Sequence, residues 1–342
     1  MSALLISLIE GADAKRVQGE LARLGLWSSA SPGPRHTVLQ VEAHSAHAGP
    51  ETIAFIAALE EVAEVHHAAS PHPALDAMPR VLEVGRVTFG ARRPPVLLAG
   101  PCSIESEARI HEVARELGTQ GVGLLRGGAF KPRTSPYAFQ GHGERALKWI
   151  REAANEHGLG VVTEAMAPEE VPVVAFFADL VQIGTRNMHN FPLLKAAGEA
   201  RKPVLLKRGL AATIEEWLLA AEYLLHHGAP GVIFCERGIR GFEPSQRFTL
   251  DLGAVALLSE VHGLPVVVDP SHAAGRRDLI APLARAGLAA GAAGLLLETH
   301  PDPAHARSDG PQAVPLDRFG ALAAAVMPRH EPDARRAAGG AA

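Results

Sequence analysis

The sequence predicts an α/β fold: a (β/α)8 barrel preceded by a small ferredoxin-like α+β unit. Three observations predict it. From Pro95 onward, short apolar runs alternate with helix-period segments eight times. Each run has the length of a parallel strand buried on both faces. Residues 1–70 carry their own βαββαβ order and end at a proline-rich stretch. An open doubly wound sheet is the competing architecture, but no GxGxxG turn follows the first run.

In chain order, "ALLISLI" reads as a strand. Asp13 caps the helix "AKRVQGELARLG", which stops at Gly25. A short strand is expected near Leu26, and the Ser/Pro/Gly stretch after it reads as a loop. "HTVLQVEA" alternates like a strand, "PETIAFIAALEEV" opens with Pro and Glu as a helix N-terminus should, and "AEVHHAA" is a last short strand. This is a ferredoxin-like order. Residues 71–79, within "SPHPALDAMP", read as a linker, and "RVLEVGRVTFG" as a hairpin or a barrel-floor strand.

The eight runs are "VLLAGPC", "GVGLLRG", "GVVTEA", "LVQIGTRN", "PVLLKRG", "GVIFCERG", "PVVVDPSH" and "AGLLLETH". Segments between them, such as "ESEARIHEVARELGTQ" and "TIEEWLLAAEYLLHHG", have helical periodicity and end near glycine. The barrel is expected over residues 80–328. Residues 329–342 lack apolar periodicity and are expected to be disordered.

The composition agrees with a globular enzyme. Of 342 residues 47% are hydrophobic and 20% charged, which allows a large aliphatic core. A net charge of -4 argues against a general nucleic-acid binder. Two cysteines, Cys102 and Cys235, are too few for a disulfide scaffold and suit a reducing cytoplasm. No basic residue precedes the first apolar run, so no secretory signal is expected, and no apolar stretch reaches the roughly 18 residues of a membrane span.

Chemistry concentrates where the eight runs end: Cys102; Arg126 with Lys131 following; Glu164; Arg186; Lys207 and Arg208; Glu236 and Arg237; Asp269 and His272; Glu298 and His300. A closed barrel gathers all eight ends on one face, where barrel enzymes build their sites. Six cations, Arg126, Lys131, Arg133, Arg186, Lys207 and Arg237, repel one another unless anions arrive. Phosphate suits them, and six imply two anionic groups. The plainer alternative is pairing with Glu164, Glu236 and Asp269. A second group, Cys102, His272, Glu298 and Asp309, comes from the first, seventh and eighth runs and the following loop. Closure makes these neighbours, and they form a mixed donor set for a divalent Mn, Fe, Co or Zn ion. Cys235, inside a strand, reads as a small buried hydrophobe.

The motifs "AGPCSIES", "LRGGAFKPRTSPYAFQG", "IGTRN", "LLKRG", "CERGIRGFE", "DPSHAAGRRD" and "ETHPDP…SDG" resemble the 3-deoxy-D-arabino-heptulosonate 7-phosphate (DAHP) synthase family, type I beta branch. The resemblance runs from about Arg80 to Met327. It implies a metal-dependent transferase that condenses phosphoenolpyruvate with erythrose 4-phosphate, the first step of the shikimate pathway to aromatic amino acids. By resemblance, Arg126, Lys131, Arg186, Lys207 and Arg237 hold phosphoenolpyruvate. Lys131, Pro132, Arg133, Thr134 and Ser135 hold erythrose 4-phosphate. Cys102, His272, Glu298 and Asp309 match the metal ligands, and Lys131, Cys102 and His272 carry the catalysis.

"KPRTS" separates this family from the sister 3-deoxy-D-manno-octulosonate 8-phosphate synthases, which resemble the chain less there. Thr185, His189 and Gly241 depart from the usual pattern without removing a ligand. The front unit resembles a regulatory extension, which implies tyrosine or phenylalanine as effector, or else a role in assembly. The resemblance also implies a homotetramer or homodimer. A barrel that merely bound phosphorylated ligands would be expected to lack Lys131 or one of the four donors; all are present.

Overall fold

The structure, a computed structural model, describes residues 4–33, 36–42, 44–67, 69–90, 93–131, 137 and 139–327. The segment 132–136 and the tail 329–342 named above lie outside these. The chain divides into two compact units, Met1–Ala77 and Met78–Ala342.

The first unit runs β1 (Leu4–Leu8), α1 (Ala14–Arg23), β2 (Ser28–Pro32), β3 (Thr37–Val41), α2 (Pro50–Ala57) and β4 (Val62–His67). Its strands pair antiparallel in the order β2-β3-β1-β4, the ferredoxin-like arrangement. Leu4, Ile6 and Leu8 alternate inward from β1 and meet Val17 and Leu21 of α1, Leu39 of β3 and Ile56 of α2. The Asp13 side chain accepts from the backbone N–H of Lys15 at 3.0 Å and so caps α1.

One expectation fails here. The short strand expected near Leu26 begins at Ser28 instead and, as β2, takes up the Ser/Pro stretch read as a loop. It lacks an apolar pattern because it is an exposed edge strand, held by its backbone ladder to β3. A short helix, α3 (Pro73–Ala77), follows the unit's sheet.

In the second unit, β5 (Val81–Val84) and β6 (Val87–Gly90) form an antiparallel hairpin. Its Leu82, Val84 and Phe89 pack into one cluster with Val96, Leu98, Leu124, Leu180 and Leu205 near the strand starts, so the hairpin also makes the barrel floor.

The barrel strands are β7 (Val96–Gly100), β8 (Leu124–Arg126), β9 (Gly160–Ala165), β10 (Leu180–Ile183), β11 (Val204–Lys207), β12 (Val232–Glu236), β13 (Val266–Val268) and β14 (Gly294–His300). All eight pair parallel with their neighbours, and β14 pairs both β7 and β13, so the ring closes. A short β15 (Val314–Pro315) extends from the end of β14.

Helices α4 (Glu107–Gly118), α5 (Glu144–Glu156), α6 (Val171–Phe177), α7 (Phe191–Glu199), α8 (Ile214–His226), α9 (Leu252–Ala256), α10 (Pro270–Ala274), α11 (Ile280–Ala289) and α12 (Leu316–Val326) alternate with the strands. Their caps stand on the strand-end face: Ser106 for α4, Asn190 for α7, a Thr213–Glu216 capping box for α8, Asp251 for α9 and Asp269 for α10. Among the described residues, no helix is long and apolar enough to cross a membrane.

Candidate active site

The strand ends surround a cavity of about 160 Å³. Its walls include Arg126, Lys131, Arg186, Lys207 and Arg237, together with Cys102, His272 and Asp309. Ring closure does this: the register Glu298↔Gly100 between β14 and β7 sets the last strand's carboxylate beside the loop that carries Cys102.

The four donors Cys102, His272, Glu298 and Asp309 each present a ligand atom, all within 4.8 Å of one another. Cys102 Sγ donates to Asp309 Oδ2 at 3.0 Å. His272 Nε2 lies 3.4 Å from Glu298 Oε1 and 3.9 Å from Asp309 Oδ2. A thiol sulfur, an imidazole nitrogen and two carboxylates, buried or half-buried and converging, fit a borderline divalent cation.

Each donor is held from behind. Arg126 donates to Glu298 Oε1 at 2.8 Å and Gln312 to Oε2 at 2.8 Å. Arg247 donates to Asp309 Oδ1 at 3.2 Å. Asp309 itself has φ +50°, a left-handed conformation that costs about 1–3 kcal/mol unless the surroundings impose it. They do so through neighbouring contacts: Ser308 and Ser103 hydroxyls lie 2.7 Å apart, and Arg307 N–H donates to Glu105 Oε1 at 2.6 Å.

The cations fall into two groups. Lys207 pairs with Asp269 at 2.7 Å, and Arg126 pairs with Glu298. Glu236 is taken by Arg208 at 3.1 Å, not by a cavity cation. Arg237 has no carboxylate partner among the described residues; its guanidinium stacks on Phe248, 4.5 Å from the ring centroid. Arg186 is exposed at the rim and unpaired among the described residues. Buried Nε of Arg126 and Nη1 of Arg237 lack hydrogen-bond partners among the described residues. Buried donors of this kind are completed by an incoming anion. Of the expected pairings with Glu164, Glu236 and Asp269, only Lys207 with Asp269 is found among the described residues; Arg126 pairs instead with Glu298, and Arg237 and Arg186 pair with none of the three.

The "RGG" before Lys131 has a steric purpose. A Cβ on Gly128 would meet Lys131 Cδ at 2.8 Å and Cys102 O at 2.9 Å, so only glycine lets the lysine lie against the Cys102 loop. Gly184 is similarly constrained, because a Cβ there would overlap the Glu164 carboxylate.

Burial pushes the Cys102 thiol up to about 11; nearby Glu298 and Asp309 add to the rise and Lys131 opposes it. The thiol must therefore give up its proton to ligate a metal. Burial would raise Asp309, yet His272 and the Cys102 hydrogen bond hold it below the usual carboxylate range. Burial lowers Arg237, and Arg247 adds to that.

The assigned cations Arg126, Lys131, Arg186, Lys207 and Arg237 and the four donors come together, whereas Arg208 and Glu236 pair with each other and His300 faces Glu105, outside the cavity; Pro132, Arg133, Thr134 and Ser135 lie outside the described residues. Sequence reasoning missed Arg247, Gln312, Gln182 and Phe248. Gln312 supports Glu298, Gln182 donates to Glu164 at 3.2 Å, and Arg247 and Phe248 line the cavity. Three of these come from βα-loops without periodicity, and their one signal was proximity in sequence to Arg237 or Asp309.

A closed barrel whose strand ends gather unpaired cations beside a four-donor metal group has the make-up of a barrel enzyme for phosphorylated substrates. Comparison with known proteins narrows the class. The DAHP synthetase I family model matches residues 62–330, and the chain belongs to that family. It is 51% identical over 239 residues to a phospho-2-dehydro-3-deoxyheptonate aldolase of Thermotoga maritima, covering 70% of each chain. It is 34% identical over 266 residues to a 2-dehydro-3-deoxyphosphooctonate aldolase of Nitrobacter hamburgensis, covering 72% of this chain and 92% of that one. A crystal structure of the Thermotoga maritima DAHP synthase superposes with TM-score 0.73 at 40% identity, covering 95% of this chain and 96% of that one.

Proposed function

We infer that this chain condenses phosphoenolpyruvate with D-erythrose 4-phosphate and water, giving 3-deoxy-D-arabino-heptulosonate 7-phosphate and phosphate, the first step of the shikimate pathway. The observation that carries the residue assignment is the single cavity in which Lys131 touches Cys102 while Arg126, Arg186, Lys207 and Arg237 face the same space.

In this reading those four cations and Lys131 cradle the phosphate and carboxylate of phosphoenolpyruvate and orient its C3 toward the aldehyde. The "KPRTS" segment, Lys131 to Ser135, takes the erythrose phosphate. Attack by C3 on the aldehyde carbon makes the new C–C bond and an alkoxide, and Lys131 donates the proton that neutralises it. The attack leaves positive charge at C2; water adds there and releases one proton, which restores the one Lys131 gave up, and the tetrahedral centre collapses to the ketone, passing its hydroxyl proton to the phosphate that leaves by C–O cleavage into the Arg126, Lys207 and Arg237 group. A divalent ion on Cys102, His272, Glu298 and Asp309 would supply Lewis-acid polarisation of the aldehyde oxygen. The donor set suits Mn, Fe, Co or Zn alike.

The test is phosphate release from phosphoenolpyruvate, with erythrose 4-phosphate or arabinose 5-phosphate as acceptor, with and without Mn. Turnover only with erythrose 4-phosphate supports the reading; preference for arabinose 5-phosphate would move the chain to the activity named for the Nitrobacter relative.

The ferredoxin-like unit is read as regulatory or as an assembly element, with tyrosine or phenylalanine as effector and a homodimer or homotetramer as assembly. Removing residues 1–70 and assaying with each aromatic amino acid separates the two roles. A cytoplasmic location is favoured by two unpaired cysteines, one of them in the metal group.

A further inference from the structure

Asp269 follows β13 and is fully buried. It does not line the cavity, but two residues that do, Lys207 and His272, both end on it. Oδ1 accepts the backbone N–H of His272 at 3.0 Å, which caps α10 and orients its first turn. Oδ2 accepts a hydrogen bond from Lys207 Nζ at 2.7 Å and also lies 2.7 Å from His272 Nδ1, close enough for electrostatic contact although the ring N–H is not aligned on it as a hydrogen bond. Its own N–H donates to Glu236 O at 2.8 Å, which pins the carboxylate's backbone to the neighbouring strand.

One oxygen therefore faces two nitrogen groups with different tasks. With Nδ1 beside Asp269, the imidazole presents Nε2 to Glu298 and Asp309. With Nζ held at the strand end, Lys207 stands in the cavity wall. A carboxylate behind a ligating histidine fixes its ring and raises its basicity.

We propose that Asp269 is a positioning residue that joins the two halves of the site, aiming His272 at the metal pocket and Lys207 at the anion pocket through one carboxylate. This rests on the site reading above. Because both groups draw on Oδ2, whatever Lys207 takes is lost to His272, so weakening Lys207 strengthens the hold on the ring.

The experiment titrates the full-length chain with Co²⁺, following the sulfur-to-metal charge-transfer band expected of a Cys102 thiolate. Asp269→Asn keeps an acceptor for the α10 cap but removes the charge; it should weaken Co²⁺ binding by about 10–100-fold while keeping the band. Lys207→Met should tighten Co²⁺ binding in the parent and by clearly less in Asp269→Asn. Parent-like Co²⁺ affinity in Asp269→Asn, or an equal effect of Lys207→Met in both backgrounds, overturns the proposal. Asp269→Ser, which also retains a cap, is read the same way if the Asn variant does not fold. A parent chain with no Cys102-dependent band would overturn the metal-site reading itself, which distinguishes that failure from this one.

Discussion

Lys131 Nζ lies 3.0 Å from the sulfur of Cys102 and 2.8 Å from the same residue's carbonyl oxygen. The lysine assigned to proton transfer is thus tethered to a residue of the metal group, and between the two in sequence stands Gly128, where a Cβ would press on the Cys102 carbonyl and on the lysine itself.

Replacing Lys131 with Met should lower kcat by about 10²–10⁴-fold, the usual loss of a positioned general acid. Steady-state kinetics check it, with the phosphoenolpyruvate KM measured alongside. A change confined to KM would reduce Lys131 to a binding residue.

Cys102→Ala should abolish metal-stimulated turnover and leave the fold intact, because the side chain is small and its removal opens little space. Circular dichroism and activity after chelation read the two effects. Full activity in the chelated variant would end the metal assignment.

Arg237 is buried without a carboxylate partner among the described residues, so its charge is a burden on the folded state. Arg237→Met should therefore melt no lower than the parent while phosphoenolpyruvate binds at least tenfold more weakly, as expected for loss of a charge-assisted contact. Calorimetry gives both quantities, and a stability loss with unchanged affinity would contradict the assignment.

Arg133→Ala should raise the KM for erythrose 4-phosphate more than that for phosphoenolpyruvate. Equal increases in both would remove Arg133 from the acceptor subsite.

Asp251 caps α9 at Ala254 N–H and pairs with Arg208 at 2.8 Å. Burial would raise its carboxyl, but the hydrogen bonds from Arg208 and Ala254 and the Arg208 charge hold it below the usual range. A carboxylate with a depressed folded-state pKa adds stability that is complete above its unfolded value, about 4, and is lost as pH falls through the folded value. Asp251→Asn should thus lower the melting temperature at pH 7, and the gap to the parent should close in acid. A gap independent of pH would show that the Asp251 charge is not its source.

Much of this protein was legible in chain order. Fully buried parallel strands must be nearly all apolar, so β7 to β14 announced themselves as runs, and each polar residue closing a run was placed on one face by the barrel alone. That is why Cys102, Arg126, Lys207, Arg237, His272 and Glu298 could be named together. A short strand was legible near Leu26, but the extent of β2 into the Ser/Pro stretch was not, because an exposed edge strand carries no apolar signature and exists only through its ladder to β3.

The one-dimensional pattern was enough for the barrel, the closure of its ends and most of the cavity wall, since those follow from period, length and order. Which charges neutralise one another required packing. Arg247 reaching Asp309, Gln312 holding Glu298, and Asp269 shared by Lys207 and His272 are contacts between loops and strands far apart in sequence. Side-chain partners at such separations are set by where the backbone carries each group in space, and no local periodicity encodes that.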